Sequence, residues 1–191
     1  MLKKIFIIIT LLFSVFNYSQ NKNFKDYKYQ ELITECNLII KVPRGFREVN
    51  IIKDNGHLYQ YSLQDSTTGF QARYYIKPYK LFFPKNDNTF INNPTTYNFF
   101  LSSLLNVTGN TYNPEIIEIN PEYVKYDMNA DYGLFSILET GSKFSEGFKY
   151  FEAHAIRKNK IGEVFIFMLY NTQNRETRII RDDILSSIDF K

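Results

Sequence analysis

Oxygen-bearing side chains recur at Asp127, Asn129 and Asp131 in the run DMNADYG, and of all the residues here these are spaced best for metal chemistry. Alternate carboxylate and amide oxygens open a calcium-binding loop, where the first, third and fifth positions supply ligands. The register then slips. The sixth and twelfth positions, which such a loop fills with Gly and a bidentate carboxylate, hold Tyr132 and Leu138, and Gly133 and Glu139 each arrive one residue late. No helical pattern leads into the run. The competing reading is a turn whose Asp and Asn side chains cap their own backbone.

Acid–base and nucleophilic chemistry have few candidates. There are two histidines: His57 follows the turn Asp54-Asn55-Gly56, and His154 alternates within an apolar strand pattern, which reads as a packed strand residue. Asp182 and Asp183 are adjacent on a helical pattern and so point in different directions, which reads as a solvated face and not as paired carboxylates. Arg178 and Asp182, four apart, form an expected surface pair there, of a few tenths of a kcal/mol at about that order. The single cysteine, Cys36, excludes an internal disulfide and reads as buried and inert. No G-x-S-x-G, H-E-x-x-H, phosphate-loop or dinucleotide glycine pattern occurs. The expectation is a protein with no catalytic residues and no cofactor.

Binding has one candidate segment. Pro78 to Asn93 lacks periodicity yet carries Tyr79, Leu81, Phe82, Phe83 and Phe90 among Lys85, Asn86, Asp87 and Asn88. Its aromatics either seal the end of a core or, with Tyr79, Phe82, Phe83 and Phe90 exposed, form a partner-binding patch or a lid over a pocket.

The elements that would hold these residues follow from the hydrophobic pattern. Val164 to Tyr170 is seven consecutive apolar residues, short for a helix and rich in β-branched and aromatic types, which predicts a central strand covered on both faces. Val164, Ile166 and Met168 should then face one layer and Phe165, Phe167 and Leu169 the other. Phe148 to Ile156 supplies its hairpin partner through the turn Arg157 to Gly162. Earlier strands are predicted at Leu38–Val42, Phe46–Ile52, Leu58–Leu63 and Phe70–Ile76, the last two as a hairpin. Glu115–Ile119 and Tyr123–Met128 read as short strands about an Asn120-Pro121 bend, with Leu134–Leu138 a further strand. Asn93 as cap and Pro94 in the first turn open a helix whose apolar face is Tyr97, Phe100, Leu101, Leu104 and Leu105. Gln173 to Ser187 is an amphipathic helix with Ile180, Ile184 and Leu185 inward and Ile179 and Ile188 at its margins.

Met1 to Gln20 carries Lys3 and Lys4, a twelve-residue apolar run from Ile5 to Phe16 and then polar residues, the layout of a secretory signal peptide with Ser19 before the cut. The run is too short for a comfortable bilayer span, so no stable transmembrane segment is expected after cleavage; the alternative is an uncleaved membrane tether, because Asn17, two places before Ser19, is not the small residue a cut prefers. Removing Lys3 and Lys4 takes the basic count from 23 to 21 against 20 acidic residues, a formal net of +1. Scattered charge of that balance excludes a nucleic-acid stripe. The expected organisation is a signal peptide at 1–19, a polar N-terminal lead-in at 20–36 and one domain at 37–191, exported to the periplasm or beyond the cell.

The order of these elements, with the turn in LIIKVPRGF, the pair LYQYSL and FQARYYI, a middle helix, a hairpin and the ending ILSSIDF, resembles the PsbP-like fold family. That family includes the photosystem II extrinsic protein PsbP, the Ran-binding Mog proteins and small exported bacterial relatives. The resemblance spans roughly Leu38 to Phe190 and implies an α+β fold, an α/β/α sandwich about a mainly antiparallel sheet. It also implies a binding or assembly module of the cell envelope and not an enzyme, whose partner is another envelope or secreted protein. The alternative is a small-ligand carrier or hydrolase with a pocket under the 78–93 loop, built near His57, His154 or Asp131.

Overall fold

The computed structural model describes residues 28–52, 59–82, 92–108, 114–139 and 143–191. The proposed signal segment, residues 20–27 of the lead-in, His57, Phe83 and Phe90 lie outside the described residues. In chain order the elements are α1 (Tyr29–Glu35), β1 (Leu38–Ile40), β2 (Phe46–Glu48), β3 (Tyr61–Asp65), β4 (Gln71–Pro78), α2 (Tyr79–Phe82), α3 (Asn93–Thr108), β5 (Ile117–Glu118), α4 (Pro121–Met128), β6 (Tyr132–Glu139), β7 (Tyr150–Lys158), β8 (Gly162–Tyr170), α5 (Arg175–Ser186) and β9 (Ile188–Phe190). The class is α+β. Seven strands form one sheet in the order β2-β3-β4-β8-β7-β6-β5, every neighbouring pair antiparallel, and β1 pairs with β9 in a separate two-stranded sheet.

β8, which contains the apolar run, is the middle strand of the seven, and all nine of its residues are buried. Strand alternation sends its side chains to two separate hydrophobic clusters, as predicted. Val164, Ile166 and Met168 join Leu32 of α1, Val124 and Met128 of α4, and Ile184 and Leu185 of α5. Phe165, Phe167 and Leu169 join Phe100, Leu104 and Val107 of α3, together with Phe144. Each such side chain contributes about 1.5–3 kcal/mol when withdrawn from water, so both faces are needed to hold the sheet. On the second face Phe144 sits edge-on to Phe151 and Phe167, the favoured aromatic geometry.

Several local expectations are corrected. Tyr123–Met128 is helical, not extended. Asn120 accepts a hydrogen bond at 2.8 Å from the backbone N–H of Glu122, Pro121 fills the first turn, and Asn129 in the left-handed conformation (φ 47°) ends the helix. The helix at Asn93 is present, but its cap is Asn92, whose side chain accepts from the backbone N–H of Thr95. Its buried face is rotated from the predicted stripe: Phe100 and Leu104 are inside with Thr96, Val107 and Thr108, whereas Tyr97 is exposed. The segment assigned to the lead-in contributes α1, started by the Glu31 carboxylate reaching back to the N–H of Lys28, and its Leu32 and Cys36 belong to the core. Ile188 lies in β9 and not at a helix margin. Among the described residues no helix is long and apolar enough to cross a membrane.

Candidate binding groove

β7 reads Tyr-Phe-Glu-Ala-His-Ala-Ile-Arg-Lys, and its alternation places Phe151, Ala153 and Ala155 in the second core. Glu152 and His154 therefore fall on the opposite face. In a fully covered sheet those positions would be apolar. Here they form a buried polar pair, Glu152 2% and His154 4% exposed, joined by a 2.7 Å contact between His154 Nε2 and Glu152 Oε1. The register puts Phe135 of β6 beside His154, with the two rings stacked 5.9 Å apart.

Two further elements converge on this pair. From β8, the Tyr170 hydroxyl donates to Glu152 Oε2 at 3.3 Å. From α5, Arg181 lies 3.9 Å from Glu152 Oε1 and binds the Asp182 carboxylate at 3.0 Å through both Nε and Nη2. The expected Arg178–Asp182 pair is thus replaced by contact between sequence neighbours. Burial alone would lower the Arg181 pKa, but the charges of Glu152 and Asp182 outweigh it and hold the guanidinium above its ordinary value. Burial, then the Glu152 charge, pushes the Tyr170 phenol well above its usual range, which keeps it a donor.

Beside this pair runs an open groove of about 710 Å³ between the sheet, α4 and α5. Phe135, Ile119 and Leu185 give it apolar lining, while Asp127 of α4 and Asp182 and Asp183 of α5 stand along it with Tyr123. Burial, then the Asp127 and Asp182 charges, raise the Tyr123 pKa, with Arg181 acting in the opposite direction. A smaller crevice of about 210 Å³ adjoins it, sharing Glu152 and Arg181, and is lined also by Tyr170, Asn174 and Thr177. His154 is among the residues that line the groove, and its Nδ1 is buried with no hydrogen-bond partner among the described residues. A buried polar atom left so costs about 1–3 kcal/mol, and His154 departs in this from an ordinary packed strand residue.

A second polar cluster crosses the other face. Lys77, Glu163 and Arg157 are register partners on β4, β8 and β7, in one row, and all three are buried. Glu163 accepts from the Thr96 hydroxyl at 2.7 Å and lies 3.7 Å from Lys77 Nζ. Arg157 donates to Thr96 Oγ1 and to the Asn93 side chain. Lys77 also stands 3.3 Å over the Phe99 ring. This network ties α3 to the sheet.

The remaining sequence candidates fall elsewhere. Tyr79 is fully buried, so it presents nothing to a partner; Phe82 is half-buried, within 5.8 Å of Lys77 Nζ. Of the calcium candidates only Asp127 reaches the groove. Asn129 donates to the Phe190 carbonyl at 2.6 Å and accepts from Lys158, and Asp131 accepts from the backbone N–H of Asn159 at 2.8 Å. These side chains fasten neighbouring strands and do not cap their own turn, and helix α4 occupies the first two residues of the supposed loop. Among the described residues no group of three or more His, Cys, Asp or Glu side chains is placed to hold a metal ion. Cys36 is buried, and burial followed by the Glu163 and Glu35 charges raises its thiol pKa far above the ordinary value.

The groove brings together Asp127, His154, Asp182 and Asp183, which are separate features of the sequence. Glu152 and Arg181 went unnoticed there. The available signal was Glu-x-His on one face of a strand whose neighbour, β8, is apolar throughout. No family model matches the chain, and neither does any curated protein or solved structure.

Proposed function

We propose that this protein is an exported binding or assembly module of the cell envelope, with its helices and sheet arranged as a PsbP-like α/β/α sandwich, and that it engages another protein through the groove between α4, α5 and the sheet. The observation that carries this reading is the groove itself: apolar Ile119, Phe135 and Leu185 with exposed polar side chains around them share the apolar-centre, polar-rim composition of protein-binding surfaces. The recognition surface moves accordingly from the aromatics of 78–93 to the face of α4 and α5. Export through the Met1–Gln20 segment, with cleavage after Ser19, belongs to the same proposal.

The Glu152–His154 pair favours one second reading, a small-ligand carrier or hydrolase, because a carboxylate-oriented imidazole is suited to accept a proton. In-cell photo-crosslinking separates the two. A benzophenone side chain at Tyr123, on the groove, should give a discrete protein adduct, whereas the same group at exposed Tyr97 on α3, across the sheet, should give none. Equal adducts at both sites, or none at Tyr123, would count against docking in the groove. Loss of an esterase activity on His154→Ala would favour the second reading.

A further inference from the structure

Resting on that reading, we infer that the groove is built to take a basic side chain, lysine or arginine, of a partner polypeptide, with His154 Nδ1 and the carboxylates of Asp127, Asp182 and Asp183 as its acceptors. The argument begins at Glu152. Its carboxylate already accepts from Tyr170 and faces Arg181, so it has no hydrogen to give, and the hydrogen in the 2.7 Å contact belongs to His154 Nε2. A neutral imidazole that donates through Nε2 presents a lone pair at Nδ1. The described residues give that lone pair no donor, and His154 is one of the side chains that line the groove.

The charges around it select the occupant. Asp127, Asp182 and Asp183 line the groove, and Arg181 is the cation among its lining side chains, already engaged by Asp182 and Glu152. An anionic ligand would meet three carboxylates, each pair of like charges at close range costing free energy that grows as water is expelled. A neutral apolar ligand would leave Nδ1 and the carboxylates unpaired. An ammonium or guanidinium donates to both. Its methylene stem finds Phe135, Ile119 and Leu185, and the ring of Tyr123 stands beside it as a face for a cation. The open shape fits a side chain carried on a chain that continues past the groove, with apolar neighbours on either side of the basic residue.

The test uses the exported protein and three blocked peptides, acetyl-Leu-Lys-Leu-amide and its norleucine and glutamate counterparts, followed by nitrogen-15 NMR. The lysine peptide should shift the His154 Nδ1 resonance and the amides of Tyr123, Asp127 and Leu185, and the norleucine and glutamate peptides should not. The double variant Asp182→Asn, Asp183→Asn, altered only at exposed positions of α5, should weaken the lysine peptide roughly tenfold or more while the spectrum stays folded. Norleucine or glutamate peptides bound in the groove as tightly as lysine would overturn the basic-residue assignment and leave protein docking standing. Free cadaverine bound as tightly as the lysine peptide would overturn it in favour of a small-amine carrier. Silence of the groove resonances toward the lysine peptide at millimolar concentration also overturns it, and the Tyr123 crosslink then decides the docking reading separately.

Discussion

At Gly162 the first residue of β8 meets the C-terminal end of α1. A Cβ there would lie 2.6 Å from Cys36 Sγ and 2.8 Å from the Lys77 carbonyl, both closer than atoms pack, so glycine is required by space and not by backbone conformation. Gly162→Ala should therefore destabilise the fold by about 1–3 kcal/mol. Adding Cys36→Ala should recover only part, because the backbone carbonyl cannot retreat as a side chain can. Urea midpoints of the two variants and of the double variant check this, and a Gly162→Ala midpoint equal to the parent would refute it. Cys36 itself serves as reporter, since a buried thiol with a raised pKa should resist alkylation until the chain opens.

Among the elements, the row Lys77–Glu163–Arg157 fixes how α3 sits on the sheet. Glu163 lies 3.7 Å from buried Lys77 Nζ and accepts from Thr96, which also receives Arg157, so removing its charge breaks a buried network, at a cost of about 3–5 kcal/mol. Glu163→Gln, which keeps the shape and the bond from Thr96, should cost that order in denaturant unfolding, with a larger loss of near-ultraviolet than of far-ultraviolet dichroism as α3 loosens. A change below about 0.5 kcal/mol, the level of an exposed pair, would show that the row carries no weight. Elements of this kind were unevenly legible. β7, β8 and α5 could be read because long apolar periodicity outweighs local ambiguity. The dipeptide Asn-Pro was read as a helix start at 93–94 but as a bend at 120–121, because Tyr123, Val124 and Tyr126 have strand propensity, and only the packing of Val124 and Met128 on the sheet decides for α4. The groove was illegible for a related reason. Asp127, Glu152, His154 and Asp182 lie far apart in the chain, and no local pattern states that α4 and α5 converge over β7.

For the molecule as a whole, the two-stranded sheet matters more than its size implies. β1 and β9 pair Leu38 with Phe190 and Ile40 with Ile188, the backbone N–H of Lys191 donates to the Asn37 carbonyl, and Ile188 and Phe190 are fully buried. Phe190 also receives the Asn129 side chain, which links this small sheet to the end of α4. A chain ended at Ser187 forfeits the β1 pairing and two core side chains at about 1.5–3 kcal/mol each, a loss that reaches the lower end of an ordinary domain's stability of about 5–15 kcal/mol. It should show no cooperative unfolding transition by tyrosine fluorescence, and an unchanged transition would refute the role given to β9. The same pairing joins two segments about 150 residues apart in the chain, so β1 receives no help from a local turn, and its loop-closure entropy is lost before any of its contacts can offset it. Contacts of that separation are slow to form, and in refolding from urea the backbone amides of this small sheet should gain protection from exchange after those of the hairpin between β7 and β8.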